Sequence, residues 1–530
     1  MDNIKFAELV FGFVYAVGTD ADPVVSVLEN YLTQYKYQTE TFRVSNHLRS
    51  LDLGISFDKS SAFDKMKALM DAGNAARKQA ESDTVLAVMA INDIAARRVE
   101  DETERPKPRD RVAHVIRSLK RPEEVILLRD VYRPGFFLIA IADDDDSQFD
   151  YLMKEKGLAE NEARILVERD QEEYAPHGQR TRGTFYLADV FVERRNERYK
   201  DQLHRFLELV FGHPFYTPSR EEHGMFLAYA SAARSAQLGR QVGAAIATPE
   251  GEVVAVGMNE VPCCRGGSYW EGDKDDARDH IKQEVDSNVK YKDNIVSSII
   301  KQLDGKLLTP RTLHSVVKKT IKALDPVLGE RETAEKSDAV MKSLREEAVH
   351  DIDVSNAIRR SDLKDITEYG RAVHGEMDAI LCCSRLGISV RGKYLFVTTF
   401  PCHNCTRHII ASGIRRVYYI EPYAKSKARD LHSDAICFSE EDAQETGRIP
   451  FLPFVGIGPR RYLDLFSLEL SSGRDLERKD GAGKPEALPK NERPPRVPMT
   501  PFSYLEREDK LLEEFSDTIL KLQVKSHGKG

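Results

Sequence analysis

His374, Glu376, Cys402 and Cys405 are the residues of this chain whose types and spacing prescribe a reaction. They sit in His374-Gly375-Glu376 and, downstream, in Pro401-Cys402-His403-Asn404-Cys405. One imidazole and two thiolates make three ligands of a tetrahedral zinc, and a catalytic site leaves the fourth position for water. Zinc brings the pKa of that water to ~7, so a hydroxide nucleophile exists at neutral pH. Its proton must then reach a departing amine, which needs a base close to the metal but not on it. Glu376 is placed for that role. A purely structural zinc would want a fourth protein ligand. Cys382 and Cys383 lie about two turns along the His374 helix, ~12 Å away at 1.5 Å per residue, and read as core cysteines.

The elements that must hold these groups are legible around them. TEYGRAVHGEMDAILCCSRL (367–386) spaces Val373, Met377 and Leu381 as one face of a helix that His374 and Glu376 open. KYLFVTTF (393–400) reads as a buried strand ended by Pro401. Cys402 and Cys405 then start a helix that stops at Ser412-Gly413, and RRVYYI (415–420) follows as a strand. Thiols at a helix N-terminus face its positive end, which favours thiolate ligands. An H-x-E followed by P-C-x-x-C in this setting is the arrangement of the zinc-dependent nucleobase deaminases.

With 530 residues the chain has room for two to three domains. Seven cysteines, an odd number, are no disulfide framework; with a thiolate zinc site they predict a reducing, cytoplasmic setting. No segment reads as membrane-spanning. A net charge of −8 gives no general nucleic-acid footprint and favours a free small molecule as substrate.

Residues 1–195 alternate strand-like and helix-like segments, the rhythm of an α/β parallel sheet. FAELVFGFVYAV, VLAVMA, FFLIAIA and TFYLADVFV are the strand candidates, and DADPVVSVLENYL a helix. Residues 196–219 read as a connecting helix. Region 220–465 holds the zinc constellation and a hairpin, RQVGAAIAT and EVVAVGMNE, interrupted at 266–365 by a charged, helix-forming insertion. The tail 466–530, rich in Pro, Gly and charge, is expected to be disordered with a possible terminal helix.

Beyond the zinc motif, region 220–465 resembles the deoxycytidylate deaminases. Arg240–Ile246, Gly257-Met258-Asn259-Glu260-Val261-Pro262, Glu421–Ser426 and Leu431–Ile436 carry the resemblance. It implies a C-terminal α/β/α cytidine-deaminase fold and places Asn259, Tyr423 and Ser426 at the nucleotide. PFVGIGPRRYLDLF (453–466) and HVIRSLKRPEEVILLRDVYRPGFFLIAIA (114–142) are similar to a narrower group, the bacterial anti-phage dCTP deaminases, which carry an N-terminal P-loop kinase-like domain. That likeness implies deamination of dCTP and dCMP to deoxyuridine nucleotides, dCTP depletion during infection, and a homo-oligomer. It also implies an inhibitory input before infection, a small noncoding RNA or a pyrimidine triphosphate. The competing readings are a polynucleotide deaminase, a housekeeping dCMP deaminase, and a sensor with structural zinc. Intact Glu376 argues against the last.

The candidate phosphate loop of the N-terminal domain is Gly12 to Asp20, GFVYAVGTD. Five residues separate its glycines, one more than a P-loop has. Thr19 stands at the lysine position and Asp20 at the magnesium-hydroxyl position, so a kinase reaction is not expected. The module reads as a degenerate nucleotide site or a scaffold.

Overall fold

In a computed structural model the described residues are 6–98, 107–143, 145–171, 173, 177–303, 369–421, 426–469, 474–497 and 501–523, with short stretches within 318–338. The N-terminal apolar runs make one sheet. β1 (Leu9–Tyr15), β3 (Val112–Arg117) and β4 (Phe136–Ala142) are buried almost throughout, as a parallel sheet covered on both faces requires. The strand order is β12-β5-β4-β1-β3-β2. β2 (Gln38–Arg43), β3, β1, β4 and β5 (Val190–Glu193) pair in parallel. β2, QTETFR, has too little apolar pattern to stand out in the sequence, and it lies at the sheet edge.

One face of this sheet packs Phe11, Phe137 and Ile139 against the helices Asp22–Gln34 and Tyr199–Val210. Phe206 sets its ring edge-on to Phe11 and Phe137. The helix expected as a connector is therefore part of the core. VLAVMA, expected as a strand, belongs to the helix Val85–Ala95, with Val85 to Ile91 all buried. A short apolar run without alternation does not distinguish a strand from a helix buried on every side. TFYLADVFV yields a strand only from Val190, its start being the helix Thr181–Phe185.

The second sheet follows the order β10-β11-β9-β8-β6-β7. β6 (Gly243–Ala247) and β7 (Val253–Met258) meet at a turn closed by Gly251, at φ +101°. β8 (Tyr394–Thr399) runs antiparallel to β6 and parallel to β9 (Arg416–Glu421), which pairs in parallel with β11 (Ile449–Pro453). β10 (Ile436–Cys437) closes the edge. β12 (Gly456–Ile457) then leaves this region and pairs antiparallel with β5 of the first sheet.

Two compact units divide the chain: residues 1–230, 244–256 and 389–530, and residues 231–243 and 257–388. This differs from a division at 195 and 220, because the chain after β11 returns to the first sheet. The tail holds the terminal helix expected for it, whereas residues before that helix, expected to be disordered, pack on the first unit. Pro501–Gln523 is a helix that buries Tyr504, Leu505, Glu508 and Leu522 in the first unit, and Arg496 N donates to Val210 O. Composition weighed the polar residues of the tail and missed the buried partners that satisfy them. Of the insertion, the helices Asp279–Lys282 and Ser287–Leu303 are seen. Most of the rest, to residue 368, lies outside the described residues.

Candidate functional site

The helix Gly375–Arg385 starts at His374, its N-cap in extended conformation. The approach to it is fixed by backbone pairing one residue earlier, where Val373 N donates to Glu260 O at 3.0 Å. Glu260 is fully buried, and its carboxylate accepts from Ala236 N at 2.7 Å and Gln237 Nε2 at 3.0 Å. This positioning residue lay unremarked within a quoted strand segment. A buried carboxylate satisfied by backbone amides carries no spacing signal in a single sequence.

Small residues let the helix approach. A Cβ on Gly375 would meet Val242 O at 2.9 Å. One on Gly257, in β7, would meet Ala379 N at 2.3 Å and Gly375 O at 2.5 Å. Glycine is required there by the close approach of strand to helix. The buried face of the helix is Gly375, Glu376, Asp378, Ala379 and Cys383, whereas Leu381 of the expected apolar stripe is exposed. Glu376 is 4% exposed. Burial pushes the Asp378 carboxyl above its usual range, opposed by the Met258 N–H, which donates at 3.3 Å, and by Arg385.

Cys402 and Cys405 open the helix His403–Ser412, which ends on Gly413 in left-handed conformation, as expected. Cys402 is the N-cap, and its Sγ accepts from Cys405 N at 3.4 Å. Both thiols are buried. The ligand atoms of His374, Cys402 and Cys405 all lie within 4.8 Å of one another, and among the described residues this is the one such group. Nitrogen with thiolate donors suits zinc. The residues fit the metal.

Of the substrate candidates, Asn259 has its amide engaged with the backbone: Oδ1 accepts from Val242 N and Nδ2 donates to Arg240 O, both at 2.7 Å. Ser426 Oγ donates to Pro401 O at 2.8 Å, tying its segment to the residue before Cys402. Tyr423 lies outside the described residues.

The N-terminal loop departs from expectation. Gly12 is inside β1, where a Cβ would meet Leu119 Cδ1 at 2.7 Å, so its lack of a side chain serves the packing of the sheet. Gly18 turns the chain at φ +90°. Val17 N already donates to Asp170 Oδ2 at 2.8 Å, and Lys120 Nζ lies 3.0 Å from Asp170 Oδ1. Thr19 is buried, and Asp20 Oδ1 accepts from Asp22 N at 3.4 Å.

Residues 218–421 match the family model of the cytidine and deoxycytidylate deaminase zinc-binding region. That match and the donor set agree: the metal cofactor is zinc, and His374, Cys402 and Cys405 are the group that could hold it. The chain is 47% identical to ComE operon protein 2 of Bacillus subtilis (strain 168) over 53 residues, 10% of this chain and 28% of that protein. It is 42% identical to the deoxycytidylate deaminase of Enterobacteria phage T4 over 55 residues, 10% and 28% of the two chains. It thus spans less than a third of the length of these relatives. The dCMP deaminase of cyanophage S-TIM5, solved with dCMP and dUMP, shares 15% identity over 45% of this chain and 99% of that one, with a TM-score of 0.22. Shikimate kinase from Acinetobacter baumannii, solved with shikimate, covers 38% of this chain and 92% of its own at 12% identity and a TM-score of 0.23. Scores this low do not define the fold. Among the described residues no helix is long and apolar enough to cross a membrane.

Proposed function

We propose that the protein hydrolytically deaminates deoxycytidine nucleotides to deoxyuridine nucleotides. The observation that carries this reading is the three-ligand group His374, Cys402 and Cys405, with a buried, non-ligand carboxylate, Glu376, two residues from the histidine. Zinc held by these three would supply a Lewis acid that makes water nucleophilic at neutral pH. Glu376 takes a proton from the attacking water and delivers protons to the ring nitrogen and to the amine that leaves as ammonia. The water oxygen ends as the carbonyl at C4. Burial keeps the carboxylate from exchanging protons with bulk solvent between these transfers. Gly375 and Gly257 let the helix sit close enough to fix Glu376, and the backbone pairing of Glu260 with Val373 holds the chain before it. Asn259, Tyr423 and Ser426 are assigned to the nucleotide.

The finer reading is a dCTP deaminase that also takes dCMP, lowers dCTP during phage infection and is held inactive beforehand by an RNA or a pyrimidine triphosphate. The likeness of residues 114–142 and 453–466 supports it, and so does the joining of β12, from the second of these segments, to the N-terminal sheet. Purified, zinc-replete protein incubated with dCTP, dCMP and CMP, with ammonia and uracil product measured, tests both levels. Product from dCMP alone would leave a housekeeping deaminase. Product from a cytosine-containing oligonucleotide alone would make it a polynucleotide enzyme.

A further inference from the structure

A surface cavity of about 350 Å³ is lined by Arg129, Arg133, Pro134, Asp189, Arg460 and Arg461. It lies between the turn before β4 and the chain just after β12. Four guanidiniums share it with one carboxylate, and that carboxylate is fully committed. Asp189 is 1% exposed; its Oδ2 accepts from Leu138 N at 2.7 Å, and its Oδ1 takes Arg129 Nη2 at 2.9 Å and Arg461 Nε at 3.3 Å. Arg461 also donates to Phe136 O and to Asp464. Arg129 and Arg461 are therefore a fixed floor.

Arg133 and Arg460 differ. Both are exposed, and among the described residues neither has an ion pair or a hydrogen bond from its side chain. Arg460 holds its guanidinium 5.9 Å from the Tyr186 ring and 5.7 Å from that of Tyr229. Arg133 caps the helix Pro122–Tyr132 at φ +48°, ψ −123°, a conformation suited to glycine and strained for a side chain. An arginine kept in a glycine conformation, with its charge unpaired at a cavity, is poorly explained by stability.

We propose that this cavity binds a small molecule carrying a di- or triphosphate group, through Arg133 and Arg460. Guanidinium forks match phosphate oxygens in pairs, and unpaired ones retain their charge for a ligand. The volume lies at the low end of the ~300–1,000 Å³ usual for small-molecule sites, which suits an oligophosphate and not a polymer. Because Arg460 and Arg461 lie three and four residues after the end of β12, a bound phosphate would fasten that strand's segment to the N-terminal sheet.

The test titrates inorganic tripolyphosphate into the full-length protein by calorimetry, at constant ionic strength, with sulfate as control. A nucleoside triphosphate and its nucleoside form a second arm. Saturable micromolar binding of tripolyphosphate, or of the nucleoside triphosphate but not the nucleoside, is expected. Arg133→Gly and Arg460→Ala, at exposed positions, should each weaken it about tenfold or more. Binding unchanged in both variants would overturn the site. So would heats reproduced by sulfate, or binding of a single-stranded RNA without any oligophosphate affinity.

Discussion

Arg98 and Glu508, 410 positions apart, meet in the interior of the first unit, where Arg98 Nη2 donates to Glu508 Oε1 at 3.1 Å and each side chain is 1% exposed. Arg98 Nε also reaches Glu8 Oε2 at 3.2 Å, and the hydroxyl of Tyr504 donates to Glu8. The last helix is thus held to the first strand's entry by charges that water does not reach.

Removing one partner of such a pair leaves a buried charge uncompensated, at a cost of about 3–5 kcal/mol. Glu508→Ala should destabilise the first unit by that order in urea unfolding. A loss under about 1 kcal/mol would mean that the tail helix contributes little to the fold.

The zinc helices were legible because ligand chemistry, strand composition and the Gly413 stop all coincide in short segments. The terminal helix was legible too, but its place in the first unit was not, since nothing in the local sequence shows that Arg98 and Glu8 face Glu508 and Tyr504. VLAVMA misled for a related reason: burial on all sides erases the periodicity that separates helix from strand. Gly12 looked like part of a phosphate loop because the extent of β1 is invisible in GFVYAVG.

Gly257→Ala should cost zinc as well as stability, since its Cβ would stand 2.3 Å from Ala379 N and push away the helix that His374 opens. Overpacking of this kind costs about 1–3 kcal/mol. Metal analysis of the purified variant checks it, and full zinc content with wild-type stability would contradict the close-approach argument.

Acid should expose a second network. His114 Nδ1, 3.4 Å away, and Arg109, whose Nη1 donates at 2.6 Å, hold the Glu40 carboxyl at about 2. Its folded value lies below its unfolded one, so its contribution is complete above pH ~4.5 and is lost as pH falls from there through about 2. Glu40→Gln should therefore be less stable than the parent at pH 6, with the gap closing toward pH 2. A gap independent of pH would remove Glu40 as its source.

The N-terminal loop supplies its own anion, since the Asp170 carboxylate accepts from Val17 N and pairs with Lys120. Our reading is that phosphate binding at this loop requires that carboxylate to be displaced. Asp170→Ala, made in the Arg133→Gly, Arg460→Ala background, should gain triphosphate affinity, and adding Thr19→Lys should tighten it further without phosphoryl transfer. Full-length protein is needed, because residues 501–523 pack on this domain. If calorimetry detects no gain in either variant, the loop is a turn and the domain a scaffold.

The central claim is that Glu376 moves protons and does not bind metal. The direct measurement is uracil-nucleotide formation and zinc content, side by side, for Glu376→Ala and Cys402→Ala. Glu376→Ala should keep zinc and lose turnover by about 10²–10⁴-fold or more, whereas Cys402→Ala should lose both. Substantial turnover by zinc-replete Glu376→Ala protein would contradict the account.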